Sequence, residues 1–76
     1  MWLVIDVADK TVLRSLKTEH GAKCAMAALD KRVGFHRYGR TWYSGMETSY
    51  GKYPDGTYGG SKYAVIHESR LARQTK

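Results

Sequence analysis

The decisive stretch is WLVIDVADKTVLRSL (residues 2–16), followed by TEHGAKCAMAALDKRVG (residues 18–34). Trp2 to Ala8 is short and rich in β-branched and aromatic residues, as a strand requires. Leu3, Ile5 and Val7 share one face of it, and Trp2, Val4 and Asp6 the other. Asp9-Lys10 interrupts the run, and Thr11 to Leu16 resumes it with alternation. An aspartate in such a gap accepts local backbone hydrogen bonds and tolerates a tight bend. The spacing predicts a β-hairpin over residues 2 to 16.

After the hairpin the period changes. Ala22, Ala25, Met26, Leu29 and Val33 fall at helical spacing between Glu19 and Val33. Thr18 is the N-cap, and Glu19 and the pair Lys31-Arg32 place negative and positive charge at the ends the helix dipole favours. Gly34 suits the left-handed residue that follows a helix. Gly21 costs little because it stands in the first turn. The alanines and Cys24 are small and allow the helix to lie close against a sheet.

Beyond the helix the texture is tyrosine, glycine and arginine. All six tyrosines, and every glycine except Gly21, lie between Gly34 and Tyr63. Arg40-Thr41-Trp42-Tyr43 opens a strand, with Met46 to Tyr53 as its continuation or partner. Tyr53-Pro54-Asp55-Gly56 is a turn: proline presets the first central dihedral, aspartate suits the second, and glycine takes the positive φ that follows. Gly59-Gly60 marks another bend, and Lys62 to His67 reads as a last strand. Ser69 to Lys76 is a polar, basic, loosely held tail or a short frayed helix. These elements predict one α+β domain over residues 1–76: a hairpin, one amphipathic helix, and a small antiparallel sheet packed on it.

A chain of 76 residues with 42% apolar content supports one small core. It carries 13 Lys and Arg against 7 Asp and Glu, a formal charge of +6. That balance favours nucleic acid, anionic lipid headgroups or acidic proteins as partners. The single cysteine, Cys24, excludes an internal disulfide and points to a reducing, cytoplasmic setting. The apolar run Trp2 to Ile5 is far too short to span a membrane, and no signal peptide is expected.

No set of residues reads as catalytic or cofactor-binding. His20 and Cys24, four apart, would share a helix face as half a metal site, but no ligand signature completes it, so no metal is expected. Cys24 in mid-helix reads as packing among alanines rather than as a nucleophile. Gly56 to Lys62 imitates a phosphate loop, yet strand residues follow it where a phosphate-cradling helix should begin. The chemistry left is recognition. Arg37, Tyr38, Arg40, Trp42, Tyr43, Tyr50, Lys52 and Tyr58 combine rigid aromatic surface with positive charge, a composition suited to a protein partner or to unpaired bases. No RNA-binding consensus, zinc knuckle or KH-type loop accompanies them.

Val4 to Leu13, followed by Lys17-Thr18-Glu19-His20-Gly21-Ala22-Lys23, resembles the opening of many short bacteriophage-encoded orphan proteins, with a "T-V-L" hairpin arm and a "K-T-E-x-x-A-K" helix start. The resemblance covers residues 2–33. It implies a phage protein acting in a bacterial cytoplasm or on a virion, and it implies no activity, cofactor or binding residue. Together with the aromatic-basic region it gives the expectation of a non-enzymatic modulator bound to an acidic host protein. A nucleic-acid-binding module and a virion or assembly component are the alternatives.

Overall fold

A computed structural model describes residues 1–43 and 45–74. The chain runs β1 (Trp2–Asp6), β2 (Val12–Leu16), α1 (Glu19–Arg32), β3 (His36–Tyr43), β4 (Met46–Lys52), β5 (Tyr58–Gly59), β6 (Tyr63–His67) and α2 (Glu68–Gln74). It is an α+β fold in which six strands form one antiparallel sheet in the order β2-β1-β6-β4-β3, with β5 paired to β4.

The predicted hairpin is β1–β2. Its bend is held by Asp6 Oδ1, which accepts from the Ala8 amide at 2.9 Å, and by Asp9 Oδ1, which accepts from Thr11 at 3.0 Å. Lys10 takes the left-handed conformation between them, φ 63°. That bond lowers the Asp9 pKa, because it favours the ionised carboxylate.

Helix α1 begins as expected, with Thr18 Oγ1 accepting from the Gly21 amide at 3.0 Å. It ends one residue early. The Gly34 amide donates to Lys31 O at 3.1 Å and the Phe35 amide to Asp30 O at 2.9 Å, with Gly34 at φ 78°. These are the paired bonds of a Schellman motif. The motif turns the chain so that Phe35 enters the core, 2% exposed, while Val33 caps the helix and stays 44% exposed. Val33 is therefore not a core residue. Cys24 does not pack among alanines either: it lies on the exposed face of α1.

β1 and β6 are internal strands with both faces covered, so each reads as a nearly continuous apolar run. On one face Val4, Tyr63 and Val65 pack with Ala22 and Met26 of α1, flanked by Trp2, Leu13, Leu16, Ala25 and Leu29. On the other, Leu3, Ile5, Met46, Ala64 and Ile66 cluster, with Val7 and Leu71 of α2 against them. Ala22 and Met26 are wholly buried. Full burial of each larger side chain contributes about 1.5–3 kcal/mol, so the two clusters dominate stability.

β4 has β3 along one side and two partners along the other. Glu47 and Thr48 pair with Val65 and Ala64 of β6, whereas Gly51 and Lys52 pair with Gly59 and Tyr58 of β5. The turn joining β4 to β5 is the predicted one, closed by Gly56 N–H to Tyr53 O at 2.9 Å with Gly56 at φ 96°. The last described segment, Glu68–Gln74, is helical, the second of the two forms expected for it. Residues 75 and 76 lie outside the described part.

Candidate functional site

Strand β3 is an edge strand, and almost all of it is exposed. The eight residues expected to form one partner surface all lie on it, on β4 or on β5. Directly paired residues share a face of the sheet. Gly39 pairs with Tyr50, Thr41 with Thr48, Tyr43 with Met46 and His36 with Lys52, on the face away from α1. Arg40 pairs with Ser49, Trp42 with Glu47 and Arg37 with Gly51, on the face that carries α1. The expected single patch is thus two surfaces on opposite sides of β3.

The outer face holds a tyrosine cluster. The β3–β4 register shifts between Arg37 and Gly39, which leaves Tyr38 as the extra residue of a bulge. Its ring lies 6.0 Å from that of Tyr50 and 5.6 Å from that of Tyr58, the latter edge to face. Tyr50 crosses over Gly39, where a Cβ would stand 2.7 Å from its hydroxyl, so a side chain there would displace the Tyr50 ring from its present position. Tyr38 and Tyr58 remain 68% and 66% exposed and Tyr50 39%. Lys52 stands directly opposite Tyr58. Tyr43 projects on the same face at the other end of β3 and is also exposed.

The inner face has a different character. Glu47 is buried, with Lys23 Nζ 3.0 Å from Oε2 and Arg40 Nη1 3.5 Å from Oε1. The Lys23 contact is an ion pair lying off the hydrogen-bond direction, so Oε2 has a counter-charge without a directed bond. Asp30, also buried, accepts from Ser49 Oγ at 2.9 Å through Oδ2, while Oδ1 has no hydrogen-bond partner among the described residues. Burial raises the Asp30 pKa; the Ser49 bond and the charges of Arg37 and Arg40 oppose the rise. Arg40 is therefore held in a polar layer that ties α1 to β3 and β4. The sequence carried a signal for this layer: Asp30 continues the Ala22–Met26 spacing of four and so falls in the core stripe.

Trp42 points to neither group. With Trp2, Glu19, His67, Ser69 and Arg70 it lines an open cleft of about 380 Å³ on the α1 side of the sheet. Trp2 and His67 meet edge to face at 5.1 Å. Trp2 was read from sequence only as a strand residue, and its approach to Trp42 depends on strands that are distant in the chain.

Tyr63 is a buried strand residue, as its position suggested. Cys24 Sγ lies 3.7 Å from His20 Nε2 on α1, and among the described residues no group of three or more metal-binding side chains occurs. No helix among them is long and apolar enough to cross a membrane. Compared with protein-family models, curated proteins and solved structures, the chain matches none of them.

Proposed function

We propose that this is a non-enzymatic binding protein that seats the Tyr38–Tyr50–Tyr58 cluster on an acidic surface of a partner protein. The observation that carries the reading is that three tyrosines pack on one another and still leave most of two rings in solvent. Tyrosine gives large contact area at little entropic cost and is enriched at binding hot spots. Mutual packing holds the rings before a partner arrives, which lowers that cost further. With the rings of Tyr58 and Tyr50 at 90° and 46° to that of Tyr38, the cluster makes a ridge rather than a set of parallel plates. A ridge suits a protein pocket better than a run of stacked bases, and Arg40, one of the expected phosphate contacts, is already paired to Glu47. Lys52 lies at the rim, and the charge of +6 steers encounter with an acidic partner. With the phage resemblance of residues 2–33, the partner is a bacterial host protein and the setting a bacterial cytoplasm.

The test is site-specific photo-cross-linking from position 52, beside Tyr58, in bacterial lysate with and without nuclease. A protein adduct that survives nuclease and disappears with Tyr38→Ala is expected, the substitution costing about 2 kcal/mol of binding or more. A nuclease-sensitive catch whose affinity falls with a log–log salt slope of about 0.9 per duplex phosphate would establish nucleic acid instead. Adducts between copies of the chain alone would establish an assembly component.

A further inference from the structure

The chain has two tryptophans, and both line the same cleft. They come from β1 and β3, which β6 and β4 separate in the sheet. His67 stands beside Trp2 as its direct pair. Gly45, in the β3–β4 turn at φ 81°, brings no side chain, and its carbonyl accepts from Arg70 of the cleft at 3.4 Å, so that turn borders the cleft. Trp42 is 55% exposed, and the cores formed by the sheet do not include it.

The polar lining carries both signs. Among the described residues Glu19 has one long ion pair, to Lys23 at 3.7 Å, and Arg70 one long bond, to Gly45 O at 3.4 Å. Both charged heads keep hydrogen-bonding capacity. His67 Nδ1 lies 2.9 Å from Ser69 Oγ and 3.3 Å from the Ser69 amide, which leaves Nε2 as its ring nitrogen not engaged by Ser69. A fitting ligand is a flat ring for the indoles, with paired N–H donors on one edge for a carboxylate and an anionic group for a guanidinium.

We propose that this cleft binds a guanine nucleotide. The base stacks against Trp42 and Trp2, its N1–H and N2–H groups donate to the Glu19 carboxylate, and its phosphate meets Arg70. Adenine offers an acceptor where guanine has N1–H, and it leaves Glu19 unmatched. The volume, about 380 Å³, lies within the range of roughly 300–1,000 Å³ usual for small-ligand sites. The net charge of +6 favours a phosphorylated ligand. The site lies across β3 from the tyrosine cluster and does not depend on that cluster's role.

The test is an NMR titration of the ¹⁵N-labelled full chain with GMP, read on the two indole N–H resonances. Both should shift saturably, with AMP and ribose 5-phosphate binding about tenfold more weakly or worse. Glu19→Gln should remove the preference for GMP over AMP while leaving the circular dichroism unchanged. Trp42→Ala should weaken GMP about tenfold, and Trp42→Phe should restore part of the loss. Short single strands beginning with 5′-phosphoguanosine or 5′-phosphoadenosine separate the two sources. A guanine preference greater in the strand than in GMP identifies a nucleic-acid end, and one confined to GMP identifies the free nucleotide. Unshifted indoles at millimolar GMP, equal shifts with all three phosphates, or tighter binding of free tryptophan would each overturn the proposal.

Discussion

Asp30 is a carboxyl group in a place where charge is costly, and its behaviour with pH should be measurable. Burial raises its folded pKa above the ordinary 3.8. The native state therefore keeps the proton to a higher pH than the unfolded chain does. Between about 3.8 and the folded value, stability falls as pH rises, because the native state binds more protons there. Asp9, Asp55 and Glu68 have lowered values and the opposite sign: their contribution is present above the unfolded pKa and lost as pH falls through the folded one. Asp30→Asn removes only the first effect. The stability of the variant relative to wild type, from urea unfolding at a series of pH values, should rise across the window that opens near 3.8 and then level off. An unchanged difference would show that Asp30 titrates normally. Ser49→Ala leaves the buried carboxylate without its donor and should cost about 1–3 kcal/mol at neutral pH.

At the scale of elements, β4 is the strand on which the others depend, since β3, β5 and β6 all pair with it. Gly51 is where this contact is tightest. An added Cβ would run into the His36 carbonyl and stand 2.8 Å from the Tyr38 nitrogen, both backbone atoms that cannot swing aside. Gly51→Ala should push β3 away, cost about 1–3 kcal/mol in denaturant unfolding and disperse the tyrosine cluster. Gly60→Ala, with nothing within 4 Å of the added atom, is the control and should leave stability nearly unchanged. The elements legible in the sequence were those with local causes: the alternating hairpin, the Thr18 cap, the Gly34 stop and the Tyr53–Gly56 turn. β3 was legible only in part, because an exposed edge strand shows no apolar alternation to read. The residues of the tyrosine cluster were legible by type. The division of the eight expected residues between two faces was not, since it depends on a bulge at Tyr38 and on pairings set by distant strands. The placing of Trp2 and Trp42 along one cleft depends on two strands, β6 and β4, lying between theirs, and no local pattern encodes it.

Taken whole, the molecule separates stability from recognition. Its two apolar clusters sit on β1 and β6, while the exposed aromatic residues gather on β3, β4 and β5. Tyr58→Ala should therefore change stability by no more than about 0.5 kcal/mol while weakening partner binding. Equal losses of both in a melting and a binding measurement would place Tyr58 in the structural framework instead. The change of partner along β4 has a further result. The tip comprising the Tyr53–Gly56 turn and β5 is held to the sheet by few backbone pairs and by the contact of Tyr53 with Phe35 at 4.8 Å. Its amides should exchange with solvent through local opening, well before those of β1 and β6, whose exchange awaits global unfolding. Tyr58 rides on that tip. The cluster thus has two members anchored in the long β3–β4 ladder and a third that can detach alone, so a partner that clasps all three would close the tip's local opening, in addition to the protection that binding gives every amide exchanging through global unfolding.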